Sequence, residues 1–347
     1  MPRPRNFSPW AYWMLHLESV ETRDPCPDHD PSALSAWSER FRERLDAGLG
    51  SAVPPAPVPL DLEVIETTDA GAYRREYVVF DSEPAMSVPA FLLVPHARPE
   101  PGPAVLAIHG HGPGKSAVCA LDDDASRRAV AENHGDYAHQ LAVRGYVVLA
   151  PDLRCFGERT DWNPPDKYAC DLNLVHATAA GASPLAQNLW DLARALDVLE
   201  QHPLVNPARI GVAGLSYGGT CALFLAAYDP RVAAAVVSGY FCSWRDAHRV
   251  PWNLCGSQVL PGMLTEIEPT GLGALIAPRP LLVETGTDDL IFPVAGARRE
   301  MARLARVYEA VDAADRLEHD VFEGGHRWHG ERAYPFLDRW LGPLPSM

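Results

Sequence analysis

Apolar positions along this chain follow two rhythms, and the change from one to the other lays out its elements. Leu34, Trp37, Phe41 and Leu45 recur at three- and four-residue intervals, which predicts a helix over 33–49. From residue 61 the pattern shortens. Residues 73–80 and 88–94 read as two antiparallel strands around a turn at Asp81-Ser82-Glu83-Pro84. Strands and helices then alternate: strand 104–108, helix 129–144, strand 147–150, helix 185–201, and the strand leading to 213 with a helix over 220–227. Strands 232–237 and 281–284, helix 294–308, strand 317–322 and a last helix over 331–340 complete the series. Such alternation predicts an α/β fold, a mostly parallel central sheet with helices on both faces.

Residues 1–60 stand apart as an N-terminal helical and Pro-rich appendage, and 61–347 read as one catalytic domain. Val53-Pro54-Pro55-Ala56-Pro57-Val58-Pro59 predicts an extended connector. The aromatics Trp10, Tyr12 and Trp13 are expected to pack on the main domain, since large rings favour burial. Two stretches, 152–184 and 238–278, are too long for plain loops. Both follow predicted strand ends, where open α/β sheets place their ligand crevices, so they are expected to act as lid-like pocket walls.

Composition narrows the function classes. The 347 residues are 47% hydrophobic and 22% charged, enough for a large core, and the formal net charge of −15 disfavours nucleic acid or an anionic membrane as partner. No apolar run reaches membrane-spanning length, and no secretion signal is visible near the N-terminus. The seven cysteines (Cys26, Cys119, Cys155, Cys170, Cys221, Cys242 and Cys255) show no CxxC or zinc spacing, so free thiols and a cytoplasmic location are expected.

The most informative segment is Gly211-Val212-Ala213-Gly214-Leu215-Ser216-Tyr217-Gly218-Gly219. An apolar strand runs into G-x-S-x-G and straight on into an apolar helix, the context of a nucleophile elbow. A structural Gly-rich turn is the alternative. A serine hydroxyl needs a base, and the base needs an acid to hold its tautomer. After the next strands come Asp288 and Asp289, then His326 and His329, in the order such a triad takes. Gly324-Gly325 favours His326, leaving His329 to precede the final helix. The oxyanion hole is expected from the main-chain N–H groups of Tyr217 and of His111, in the loop His109-Gly110-His111-Gly112. His109 and His111 as a metal pair is the rival reading, weakened by the lack of nearby carboxylate or thiol at ligand spacing.

These features together resemble an α/β-hydrolase, and more closely the branch of dienelactone-hydrolase-like and acetyl-xylan-esterase-related proteins. The matching stretches are His109-Gly110-His111-Gly112, the run from Ala150 to Arg159, the elbow, Cys255 to Gly262, Ala277-Pro278-Arg279-Pro280, and the Asp289 and His326 loops. The resemblance implies Ser216 as nucleophile, Asp289 as orienting acid (three residues after Gly286 and four before Pro293) and His326 as base, with no metal or organic cofactor. Dienelactone hydrolases proper carry cysteine at the elbow. Ser216 here shifts the expectation towards ester hydrolysis.

The expected activity is therefore a serine hydrolase cleaving carboxylic esters, with short acyl groups such as acetyl implied by the resemblance. Amide, peptide or carbon–carbon bond hydrolysis on the same triad, or a non-catalytic binding protein of this fold, are the alternatives. The partner expected is a small-molecule ester, with homo-oligomerisation left open. Tyr240, Trp244 and Trp252, in the second long stretch, are candidates for the substrate pocket. Arg154, Glu158 and Arg159 are expected to brace the crevice loop as buried ion pairs.

Overall fold

The computed structural model describes residues 5–50, 56–98, 100–121, 123–161, 169–250 and 254–342. Among the described residues nine strands form one sheet: β1 (Glu63–Asp69), β2 (Tyr73–Glu83), β3 (Met86–Pro95), β4 (Gly102–Ile108), β5 (Val147–Pro151), β6 (Val205–Leu215), β7 (Ala234–Ser238), β8 (Leu281–Gly286) and β9 (Leu317–Phe322). Their order is β1-β2-β3-β5-β4-β6-β7-β8-β9. β1, β2 and β3 pair antiparallel, as does β3 with β5. From β5 through β9 every neighbour is parallel, so those strands end at the same edge.

Alternation along the strands builds two cores. Ala104, Leu106 and Ile108 face one, and Val105 and Ala107 face the other; Ala235 and Val237 against Ala234 and Val236 repeat the pattern. The first core is covered by helices Pro184–Gln201, Tyr217–Tyr228, Pro269–Ile276 and Val294–Ala310. The second is covered by Tyr137–Val143 and Ala333–Leu341. Helices on both faces satisfy the apolar surfaces of a parallel sheet. The helix expected at 33–49 spans Leu34–Leu49, and its Trp37, Phe41 and Leu45 join the first core.

Two local expectations are corrected, and one strand carried no signal at all. The single helix expected over 129–144 is two, Asp124–Asn133 and Tyr137–Val143, because His134 takes a left-handed conformation (φ 50°) ahead of Gly135. β1 lacked a periodic signal: its residues are almost all exposed at the sheet edge, so nothing selects for alternation. The N-terminal aromatics are not buried. Trp10, Tyr12 and Trp13 remain 45%, 55% and 51% exposed. In helix Pro9–Ser19 only Leu17 is buried, and the rings pack on one another instead, Tyr12 on Trp13 with centroids 5.2 Å apart. Part of the Pro-rich connector, residues 53–55, falls outside the described residues.

Candidate active site

β6 ends in the turn that carries Ser216, whose backbone sits at φ 60°, ψ −119°. A non-glycine residue whose backbone is held in so sparsely populated a conformation marks a site that the surrounding structure over-determines. The restraints are visible: Ser216 N–H donates to Ser238 O at 2.9 Å, and Ser216 O accepts from Thr220 N–H at 2.9 Å. Glycine at 218 is obligatory, since a methyl there would overlap the Ile108 carbonyl oxygen. Tyr217 opens the helix Tyr217–Tyr228, so its N–H is one of the first four with no intrahelical acceptor.

β8 and β9 deliver the acid and the imidazole. Asp289 follows the end of β8, is 5% exposed, and accepts N–H bonds at Oδ1 from Ile291 (2.8 Å) and Phe292 (3.0 Å). Its Oδ2 lies 2.8 Å from Nδ1 of His326, in the loop after β9. Asp288, the neighbouring candidate, is exposed, and its main chain bonds Gly324 O. His329 turns away: its Nδ1 meets Asp320 Oδ2 at 2.7 Å and its ring stacks on Phe322. His326 Nε2 is buried and makes no hydrogen bond within the described residues. An orphaned polar atom of this kind calls for a functional explanation.

The loop after β4 lies against the elbow. A Cβ on Gly110 would stand 2.8 Å from Leu215 O and 3.2 Å from the Ser216 Cβ, so only glycine lets this main chain approach. His109 is not free for a metal. Its Nδ1 contacts Gly110 O (2.7 Å) and its Nε2 accepts from Leu153 N–H (3.0 Å), tying this loop to the one after β5. Burial holds the His109 ring below its ordinary pKa. The His111 ring stands at the cleft wall, its Nε2 3.1 Å from Cys255 Sγ. Surrounding protein, with His109 and His326 nearby, pushes its pKa down to about 4, although its exposed edge lets water screen part of that effect.

Buried charges brace both loops. Arg154 makes a two-pronged contact with Asp191, both distances 2.8 Å, and a further one with Glu83, while Arg159 reaches Asp191 at 2.8 Å. Lys115 pairs with Asp152 at 2.6 Å and with Glu158. Arg154 and Arg159 thus form the buried ion pairs expected of them, whereas the Glu158 side chain, though paired with Lys115, is exposed. Asn188 continues the network by accepting from Arg154 N–H and donating to the Tyr217 hydroxyl at 2.9 Å.

Ser216, His326, Gly110 and His111 line one cleft of about 530 Å³. Its far wall comes from the two long stretches, through Cys170 and Asp171 of the first and Leu254, Cys255 and Gln258 of the second. The substrate-pocket expectation for Tyr240 and Trp244 is corrected. Both are buried, Tyr240 packing on Trp244 and Phe292, and Trp244 Nε1–H donating to Ile267 O at 3.0 Å; neither lines this cleft. They turn inward because their segment adds to the first core. Trp252 lies outside the described residues. Cys170, Asp171 and Cys255 were missed as wall residues; their signal was their place in long segments after strand ends and, for Cys255, the matching stretch from Cys255 to Gly262.

A serine on a strand–turn–helix elbow, with an acid–imidazole pair on later strand ends of the same sheet, defines the α/β-hydrolase class. A model of the dienelactone hydrolase family matches residues 125–302, about half of the chain, and the chain belongs to that family. Among individual relatives it is similar to the protein named "Putative hydrolase YtaP" of Bacillus subtilis (strain 168), at 28% identity over 297 residues, covering 82% of this chain and 93% of the relative. Among solved structures it resembles the "putative acetyl xylan esterase" of Bacteroides fragilis NCTC 9343, with a TM-score of 0.76, 20% identity and coverage of 92% and 83% of the two chains. It also resembles the glucuronoyl esterase from Solibacter usitatus, with a TM-score of 0.67, 17% identity and coverage of 89% and 92%. At these identities the two structural likenesses are likenesses of fold.

Proposed function

We propose that this hydrolase cleaves carboxylic esters of small neutral molecules through Ser216, His326 and Asp289. The observation that carries the reading is the 2.8 Å contact of Asp289 with His326 Nδ1 beside an unpartnered His326 Nε2, in the cleft that also holds Ser216. His326 Nε2 takes the Ser216 proton as Oγ attacks the ester carbonyl. The oxyanion accepts from the N–H groups of Tyr217 and His111. The alcohol leaves with the proton from His326. Water, deprotonated by His326, then attacks the acyl-enzyme, the bond to Ser216 Oγ breaks, and His326 returns the proton to Oγ as the acid is freed. Asp289 holds Nδ1–H throughout. No Ser216–His326 hydrogen bond is present; in ligand-free sites such bonds often form only around substrate.

Ester chemistry is supported by Ser216 at the elbow and by the esterases among the structural neighbours. Neutral substrates are favoured because Asp171 lines the cleft while no Lys or Arg does among the described residues. The acetyl-like acyl preference is carried over from the acetyl-xylan-esterase resemblance. We also place residues 1–60 as an appendage built onto a catalytic domain of 61–347, in a reducing compartment suited to seven free thiols. The test is Ser216→Ala: p-nitrophenyl acetate turnover and fluorophosphonate labelling should both vanish while circular dichroism stays unchanged. Turnover at the wild-type rate would refute the assignment.

A further inference from the structure

The cleft that holds Ser216 is also lined by two thiols for which ester hydrolysis has no use. Cys170 sits in helix Ala169–Ala179 and Cys255 immediately before the turn Gly256–Gln258. The two segments are pressed together. Gly256 N–H donates to Asp171 Oδ1 at 3.3 Å, and a Cβ on Gly256 would stand 2.8 Å from the Leu174 Cβ, so glycine is what lets the turn lie on the helix. In that contact the thiols of Cys170 and Cys255 share a hydrogen bond, both line the open cleft, and both are free. Cys255 Sγ also touches His111 Nε2 at 3.1 Å, on the residue whose N–H is proposed for the oxyanion hole.

We propose that Cys170 and Cys255 form a reversible disulfide when a peroxide enters the cleft, and that the linkage slows the chemistry at Ser216. The pair is asymmetric in a way that suits this. The hydrogen bond from Cys255 draws the Cys170 thiol below its ordinary range, while the same contact and burial drive Cys255 up. Cys170 is therefore the thiol that ionises first and attacks. Its sulfur bonds the peroxide oxygen, the O–O bond breaks, and the released alkoxide or hydroxide takes a proton. That leaves a sulfenic acid on Cys170. The Cys255 sulfur then attacks the Cys170 sulfur; the S–S bond forms, the S–O bond breaks, and hydroxide departs with the Cys255 proton as water. Two thiols are oxidised and one peroxide is reduced.

Because the two segments already touch through Gly256, Asp171 and Leu174, and both thiols line the same cleft, the linkage joins elements that are packed together. Linkage ties up the sulfur that lies against His111 Nε2 and stitches together the two insertions of the cleft wall. The linkage is independent of the ester reading; only its consequence for turnover rests on it.

The test treats the full chain with hydrogen peroxide and follows peptide mapping, differential alkylation and p-nitrophenyl acetate turnover together. The expected result is a Cys170–Cys255 linked peptide and a severalfold fall in turnover, both reversed by dithiothreitol. Cys170→Ser and Cys255→Ser should each abolish the linkage, and Cys119→Ser should keep it. Thiols that stay fully alkylatable, a Cys155–Cys170 linkage instead, or linkage without change in turnover would overturn the proposal. Ser216→Ala separates the two readings. If that variant links normally while even untreated wild type has no esterase activity, the ester assignment fails and the linkage stands.

Discussion

At Asp289 a single carboxylate does two jobs with two oxygens. Oδ1 closes its own loop on the Ile291 and Phe292 amides, and Oδ2 is left for His326. Asp288 cannot substitute, since its side chain points to solvent one position earlier. Asp289→Asn keeps the shape but presents an amide donor where His326 Nδ1–H needs an acceptor, which disfavours the tautomer with a free Nε2 lone pair. We predict a fall in kcat of about 10³–10⁴-fold with KM little changed, read by steady-state kinetics on p-nitrophenyl acetate. The residue types of this site are legible in the sequence: the elbow, the two acids and the two imidazoles all stand out at strand ends. Within each pair Gly324-Gly325 favours His326 and the family resemblance favours Asp289. The 2.8 Å contact between them depends on how β8 and β9 are set side by side, which no local pattern carries.

At the scale of elements, the parallel strands declared themselves through their apolar runs, and nearly all of the predicted strands and helices are present within a few residues. What escaped was the exposed edge strand β1 and the break at His134, where burial does not impose a period. Helix Leu34–Leu49 is the informative case. Its stripe predicted a buried face, and Phe41, fully buried, packs with Trp37 at 4.8 Å between ring centroids within the same core as the sheet. Phe41→Ala should therefore cost about 3–5 kcal/mol of stability for the whole chain, measured by urea unfolding. An early, separate loss of a few residues' structure, with the main transition unmoved, would instead mean that this helix is a detachable addition.

Over the whole molecule, 45 acidic against 30 basic residues give an acidic surface, yet acid sensitivity should come from the interior. Burial pushes His109 down, and pushes His111 and His319 down to about 4. In the unfolded chain these rings protonate near the ordinary histidine value of about 6.5. The unfolded state thus binds more protons in between, and stability present above that value is lost as the pH falls towards about 4. Glu284 works in the opposite sense. Burial raises its pKa, so its contribution is present at low pH and lost as the pH rises through the raised value. We predict a Tm that drops by several degrees between pH 6.5 and pH 4, with the slope reduced in His319→Gln; a flat profile in differential scanning calorimetry would contradict it.

By itself the sequence determined what each stretch could become. Apolar period, glycine placement and the strand–turn–helix run around Ser216 act over a few residues, where sterics and burial leave few choices. Only the tertiary structure decided which distant groups meet: Asp289 with His326, Cys170 with Cys255 and His111, and Arg154 with Asp191. It also decided what stays uncovered, as with Trp10 and Trp13, and what turns inward, as with Tyr240 and Trp244. The reason is that a contact between remote segments depends on how whole elements are set against each other, and no local pattern carries that relative placement.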